Sequence, residues 1–295
     1  MEATHNQNWI SRFRLVLAVI SLTGYGAGVA SAQSWLDQFR PAATMEETGE
    51  IETDRDSFTP ATTLTAPGRT MFESAWTWTD NNDAKDTHSL PEVLLRHGVT
   101  ERLELRFGTN YEIGGESSDV SGHHGGGRRL RSGGAPTGDG LHEEANVSYG
   151  LKFDATDQCH WIPDSAIVVT GTTPTSGEET ATRLVATYVF GWELENRWIW
   201  DSAIRYGTVG DGGEQTTSWS PSTVVKFPIG ERAKGHVEYF SILNDTPDGN
   251  TDKHYVSPGV HYLLTEEFEI GIRVGWGLNE DAADFFSNLG IGWLY

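Results

Sequence analysis

Residues 102–113 read RLELRFGTNYEI. Leu103, Leu105, Phe107, Thr109, Tyr111 and Ile113 fall on one side of a two-residue period. Arg102, Glu104, Arg106, Gly108, Asn110 and Glu112 fall on the other. Successive side chains of an extended chain point to opposite faces, so the segment makes a strand with one apolar and one charged face.

The same period recurs on both sides of it. Ala145, Val147, Tyr149, Leu151 and Phe153 form one such row, and Leu184, Ala186, Tyr188, Phe190, Trp192 and Leu194 another. Trp198 to Tyr206 and Phe268 to Leu278 repeat it. Fainter alternation covers 70–79, 88–97, 165–173, 218–228, 235–243, 254–264 and 283–295. The expectation is all-β, with about twelve strands of about ten residues, the length that a tilted transmembrane strand needs.

Short links are expected at 99–101, 195–196, 229–233 and 265–267. Longer Gly- and Asp-rich links fall between them, at 80–87, 114–140, 174–179, 208–215, 244–253 and 279–282. Alternating short turns and long loops is the arrangement of a closed antiparallel transmembrane β-barrel. The link 154–164 departs from it, being long on the short-turn side. Aromatics test the same idea. Trp78, Tyr111, Tyr206, Trp219 and Trp276 sit near the long-loop ends. Trp192, Trp198, Phe227, Tyr262, Phe268, Trp293 and Tyr295 sit near the short-turn ends. Two aromatic girdles around an aliphatic belt suit a lipid bilayer. A secreted soluble barrel or sandwich is the competing architecture, and it has no reason to sort aromatics by depth.

The 295 residues carry a formal charge of −21, which excludes a general nucleic-acid binder. A single cysteine, Cys159, makes no internal disulfide and no zinc site. Arg12 and Arg14, the apolar run 15–22 and Ala30-Ser31-Ala32 have the order of a secretory signal. The expected organisation is therefore a signal peptide over 1–32 with cleavage near Ala32, an N-terminal periplasmic segment over 33–66, and an outer-membrane barrel over 67–295. The alternating run that ends on Trp293 and Tyr295 is similar to the terminal strand signal read by the barrel-assembly machinery.

Residues 51–60 (IETDRDSFTP), 87–92 (THSLPE), 94–100 (LLRHGVT), 103–106 (LELR), 171–175 (GTTPT) and 274–286 (VGWGLNEDAADFF) carry a family resemblance. They resemble the outer-membrane transporters named for the MetA pathway of phenol degradation. The resemblance spans most of the chain after the signal and implies a bacterial outer-membrane location and a transport role. Loop 114–140 departs from the pattern in being longer and more basic.

The charged faces are the candidate site. Glu73, Glu104, Arg106, Glu112, Glu144, Lys152, Arg183, Glu193, Asp201, Arg205, Lys226, Glu238, Glu269 and Arg273 are expected to point into the lumen. Two readings stand: a salt-bridged interior that holds the barrel rigid, or a polar passage whose charges select solutes. Asp54, Arg55 and Asp56 are a candidate plug that pairs with lumen charges, the alternative being a solvated linker. Loop 114–140, with His123, His124, Arg128, Arg129 and Arg131, is read first as a flexible basic loop without a specific ligand, the alternative being contacts to lipopolysaccharide phosphates or an anionic solute. Residues 124–127 (HGGG) lack a nucleophile elbow. Residues 248–253 lack the glycine and the glutamate of a calcium loop, and His123 and His124 lack further ligands at metal spacing.

No cofactor and no catalytic residue are expected. The leading function is a channel for small solutes, aromatic or hydrophobic ones among them, lodged among outer-membrane lipids. An outer-membrane hydrolase of phospholipase or protease type and a non-transporting structural or adhesive barrel are the alternatives.

Overall fold

The computed structural model describes residues 51–55, 57–82, 84–115, 120–121, 142–177, 181–211, 214–246 and 249–295. The signal 1–32, the stretch 33–50, Asp56 and most of the basic loop, including His123, His124 and its three arginines, lie outside the described residues.

Twelve strands follow one another: β1 Thr70–Asp80, β2 Thr87–Thr100, β3 Leu103–Gly114, β4 His142–Thr156, β5 Asp164–Ser176 and β6 Arg183–Glu193, then β7 Ile199–Asp211, β8 Glu214–Pro228, β9 Ala233–Thr246, β10 Gly249–Thr265, β11 Phe268–Gly277 and β12 Phe285–Leu294. Each pairs antiparallel with its neighbours in sequence, and β12 closes on β1 with Phe72 opposite Trp293 and Trp78 opposite Ser287. Thr70 and Tyr295 exchange both backbone hydrogen bonds at the seam, at 2.9 and 3.0 Å. Closure leaves no strand edge, so the ladder satisfies backbone groups that lipid cannot.

The period-two reading sorts the two faces as expected. Leu105, Phe107, Tyr149, Leu151, Val169, Ile272 and Leu289 are all about half exposed on the outside, while Glu104, Lys152, Asp201 and Arg273 are buried inside. Apolar side chains turned outward and charges turned inward invert a soluble protein, and the apolar belt faces the bilayer of the bacterial outer membrane. The girdle aromatics meet one another: Tyr206 with Trp219 at 4.6 Å and Trp276 with Phe285 at 5.7 Å at one end, Trp198 with Phe227 and Trp293 with Tyr295 at 5.4 Å at the other.

Two expected loops are corrected. β7 and β8 leave only 212–213 between them, and β9 and β10 only 247–248, where 208–215 and 244–253 were expected as loops. Backbone pairing continues through Thr208↔Thr217 and Asn244↔Thr251. Their sequences carry no hydrophobic two-residue period, so pairing that continues past the apolar belt leaves no signal there. The long turn 157–163 is present and carries a small bridge between Cys159 and Ile162.

β2 breaks its own alternation. Leu90 and Pro91 are consecutively outward, and the register to β3 shifts between Ser89 and Glu92. A bulge adds one residue and reverses the phase, which places Glu92, Leu94 and Arg96 inside.

Ile272 sits near the middle of β11 on the lipid face. Ile272→Lys is expected to destabilise the barrel by about 2–4 kcal/mol in reversible guanidinium unfolding from lipid vesicles, whereas Ile272→Leu leaves the midpoint in place.

Candidate functional site: a charged lumen threaded by the N-terminal segment

Residues 51–66 precede β1 and lie inside the barrel. They form no ladder, so their backbone groups need partners from the wall, since buried amides and carbonyls are seldom left unpaired. The wall supplies them. Glu73 accepts from the Asp54 and Arg55 amides at 3.1 and 3.0 Å. Glu238 accepts from the Phe58 and Thr59 amides at 2.8 and 2.6 Å, and Glu104 from Thr65 at 2.7 Å. Lys152 donates to the carbonyls of Ala61 and Thr63, Arg96 to those of Glu52 and Thr63, and Arg205 to that of Phe58. These partners come from β1, β2, β3, β4, β7 and β9, so the segment crosses the lumen. It also folds on itself, the Asp54 carboxylate accepting from the Ala61 amide at 3.0 Å.

Arg96 is the hub. Its guanidinium lies 3.0 Å from Glu104, 3.1 Å from Glu73 and 3.7 Å from Asp54. Arg106 joins Asp54 at 2.5 Å and Glu104 at 2.9 Å, and Lys152 lies 3.5 Å from Asp54. Within this cluster the wall contributes Arg96, Arg106 and Lys152 against Glu73 and Glu104. Asp54, from the segment, supplies the missing carboxylate, so docking balances a positive surplus that burial would otherwise penalise. Desolvation alone would raise the Asp54 carboxyl, but the three cations hold it well below its ordinary value. Desolvation opposes Glu52 in the same way, yet Lys226 at 2.6 Å holds it at about 2.

The other sequence-assigned residues fall around this crossing. Asp201 lies 3.2 Å from Lys226, and Glu269 accepts from Thr53 at 2.7 Å. Arg55 donates to the Ile291 carbonyl at 2.9 Å. Arg273 lies 3.4 Å from Glu238 and donates to the Val120 carbonyl at 2.5 Å, which places Val120 in the lumen as well. Glu112, Glu144 and Arg183 lie toward the long-loop ends of β3, β4 and β6, away from the Arg96 cluster; Asn110 donates to Glu112 and Asn146 to Glu144, both at 3.0 Å. Glu193 is a correction. Its strand runs out into the turn 194–198, which leaves it exposed at the rim.

Two glycine sites make room for the segment. A Cβ at Gly292 would strike the Thr53 methyl, and one at Gly98 would strike the carbonyls of Thr65 and Ala66, where the segment turns into β1.

Several site residues were missed. Arg96 and Glu92 are obscured because the bulge at Leu90-Pro91 resets the phase and Val93, Leu94 and Leu95 are apolar on both faces. An inward apolar cluster of Phe58, Val120, Phe240, Ile242, Tyr255, Ala282 and Phe286 was also missed. The signal was available for Phe240, since it shares the phase of Glu238 rather than that of the outward Val237 and Tyr239. The histidines that lie on strands separate: His97 faces out and bonds Thr70 at 3.0 Å, while His236 and His261 face in and lie 2.8 Å from each other.

Comparison with known proteins agrees with this architecture. An outer-membrane channel of Pseudomonas putida F1 has 12% identity, covers 83% of this chain and 100% of its own, and superposes with a TM-score of 0.55. The β domain of the Bordetella autotransporter BrkA (10% identity, 77% of this chain, 99% of its own, TM-score 0.48) is less alike. So is a loop-deletion form of OmpT, an outer-membrane protein of Vibrio cholerae (11%, 77%, 98%, 0.41). At these identities the likeness is one of fold. No curated protein sequence matches the chain. The family model described as "Putative MetA-pathway of phenol degradation" matches residues 53–295, and because that span takes in nearly all of the inner segment and all twelve strands, the chain belongs to this family.

Proposed function

We propose that this barrel is an outer-membrane channel for small solutes, aromatic or hydrophobic ones among them, whose lumen is closed by residues 51–66 acting as a displaceable plug. The observation that carries the reading is the way the plug is held. Most of its contacts are polar side chains of the wall reaching loop backbone, with apolar packing at Ile51, Phe58 and Leu64, and its Asp54 completes an ion cluster that the wall leaves unbalanced. A permanent core element would be secured by apolar packing along its length. Here each polar contact can be exchanged for water when the segment leaves. The family membership and the channel of Pseudomonas putida F1 support the same reading.

In this scheme residues 1–32 direct export, residues 33–66 are the N-terminal periplasmic segment, of which 51–66 act in the lumen, and residues 67–295 form the barrel, delivered through its terminal strand to the assembly machinery. The solute path runs past Glu73, Glu104, Arg106, Lys152, Asp201, Arg205 and Arg273, with Glu112, Glu144 and Arg183 toward the outer mouth. Opposed charges along such a path orient polar groups of a solute without trapping a single ion.

Planar-bilayer conductance and liposome flux test the channel. The chain lacking residues 51–66 is expected to conduct ions and pass small solutes at least ten-fold faster than the intact protein; a truncated barrel that stays sealed overturns the reading. Removing one partner of a buried ion pair costs about 3–5 kcal/mol, so Arg96→Met is expected to release the plug and raise conductance while the folded barrel still shows heat-modifiable mobility on gels.

Acid is expected to act in the same direction. The Glu52 carboxyl is held at about 2 when docked and returns toward 4.5 when free. Its contribution to docking is therefore complete above about 4.5 and is lost as pH falls toward 2. Conductance recorded between pH 5 and pH 2 is expected to rise, and Glu52→Gln is expected to show a higher baseline with a flatter response across that window.

A further inference from the structure

Phe58 occupies a recess in the barrel wall built from three adjacent strands. Its ring lies flat on Phe240, with centroids 4.3 Å apart and planes 8° from parallel, and the Arg205 guanidinium sits 4.3 Å from the same centroid. Both distances are those of ring stacking and of a cation over an aromatic face. Beside the ring the Glu238 carboxylate accepts three hydrogen bonds, from the Phe58 amide, the Thr59 amide and the Thr59 hydroxyl, and Arg205 donates to the Phe58 carbonyl at 3.1 Å. Ser222 of β8, placed between the two walls, is small enough to leave the floor open and meets the Thr59 hydroxyl at 2.9 Å. Tyr255 and Phe286 continue the aromatic lining at 4.9 and 6.1 Å from Phe240.

The wall thus presents an aromatic face, a cation and a hydrogen-bond acceptor, and the chain's own Phe58 satisfies all three. We infer that Phe240, Arg205 and Glu238 form a binding site for an uncharged aryl alcohol whose hydroxyl is separated from its ring by one or two carbons, and that Phe58 is the built-in occupant such a molecule displaces. The inference rests on the reading of residues 51–66 as a displaceable plug. The chemistry selects this class. A saturated ring of the same size offers no face to the guanidinium. A hydrocarbon offers no donor to Glu238, whose buried oxygens then lose the hydrogen bonds that the plug gave them. An ammonium group would lie beside Arg205 and Arg273, and a carboxylate in the place of the Phe58 and Thr59 donors would face the Glu238 carboxylate.

Equilibrium dialysis against vesicles holding the full-length barrel, with protein-free vesicles subtracted, tests it. The probes are 2-phenylethanol, 2-cyclohexylethanol and ethylbenzene. Phe58→Ala vacates the recess without altering the wall. It is expected to bind one 2-phenylethanol per barrel at least ten-fold tighter than the unsubstituted protein, and about ten-fold tighter than it binds 2-cyclohexylethanol; the preference over ethylbenzene, which needs Glu238 freed of the donors of residues 58 and 59, is expected in the chain lacking residues 51–66. Adding Phe240→Leu to Phe58→Ala is expected to abolish the preference over 2-cyclohexylethanol. Absence of saturable binding by Phe58→Ala, or equal binding of 2-phenylethanol and 2-cyclohexylethanol, overturns the site. Should the double variant fail to fold, the comparison of analogues on Phe58→Ala alone decides. Binding at equilibrium needs no flux. A barrel that binds 2-phenylethanol but never conducts overturns the channel and keeps the site, and one that conducts without saturable binding does the reverse.

Discussion

The ion cluster around Arg96 is the constraint on which the rest of the lumen depends. A closed barrel in lipid turns its apolar residues outward, so its charges collect inside, where water is scarce once anything fills the bore. Glu73 and Glu104 satisfy part of Arg96, Arg106 and Lys152, and Asp54 of the inner segment completes the set. Buried ions of one sign are costly, and attraction repays that cost only when geometry and hydrogen bonds are complete. The wall is therefore built to be finished by another part of the chain, and the position of residues 51–66 follows from that electrostatic need as much as from their covalent link to β1.

The same logic explains why so many wall residues spend their hydrogen bonds on backbone. A strand satisfies its amides through its neighbours, but a loop crossing a lumen has none within reach. Glu73, Glu104 and Glu238 act as acceptors for amides, and Lys152, Arg96 and Arg205 as donors to carbonyls. Ionised groups make the stronger hydrogen bonds. They let a segment without secondary structure lie buried, while leaving wall and plug joined by contacts that water can also make.

The architecture was legible because lipid imposes a strict two-residue period, and twelve segments carry it. Where lipid stops, the signal stops. The outer ends of β7 and β8, over 208–215, are rich in Gly and acidic residues in sequence and read as loop, although their backbones remain paired. A local irregularity hides more. The extra residue at Leu90-Pro91 reverses the phase of β2, and the apolar run Val93-Leu94-Leu95 gives nothing to detect the reversal, so Arg96 went unassigned although it stands in a recognisable motif. The inner segment was visible as a charged run before the first strand, but its partners lie up to 236 positions away, as with Arg55 and the Ile291 carbonyl. No spacing rule reaches across that distance, because strand register and barrel closure decide which side chains meet.

Aromatic residues show how one residue type reads differently on the two faces of one wall. Outward Trp and Tyr gather at the strand ends, where a ring with a polar edge suits the lipid boundary. Inward Phe240, Tyr255 and Phe286 gather on β9, β10 and β12, away from lipid, and have no such boundary to explain them. Their rings pack on one another and among Val120, Ile242 and Ala282, and Phe58 closes the cluster by stacking on Phe240. The inner segment is consequently held by two fastenings of different physics. At Asp54 and Glu52 it is held by charge, which protons weaken. At Phe58 it is held by stacking, which protons leave alone and only a comparable ring can replace. Neither water nor an ion acting singly replaces both kinds of contact.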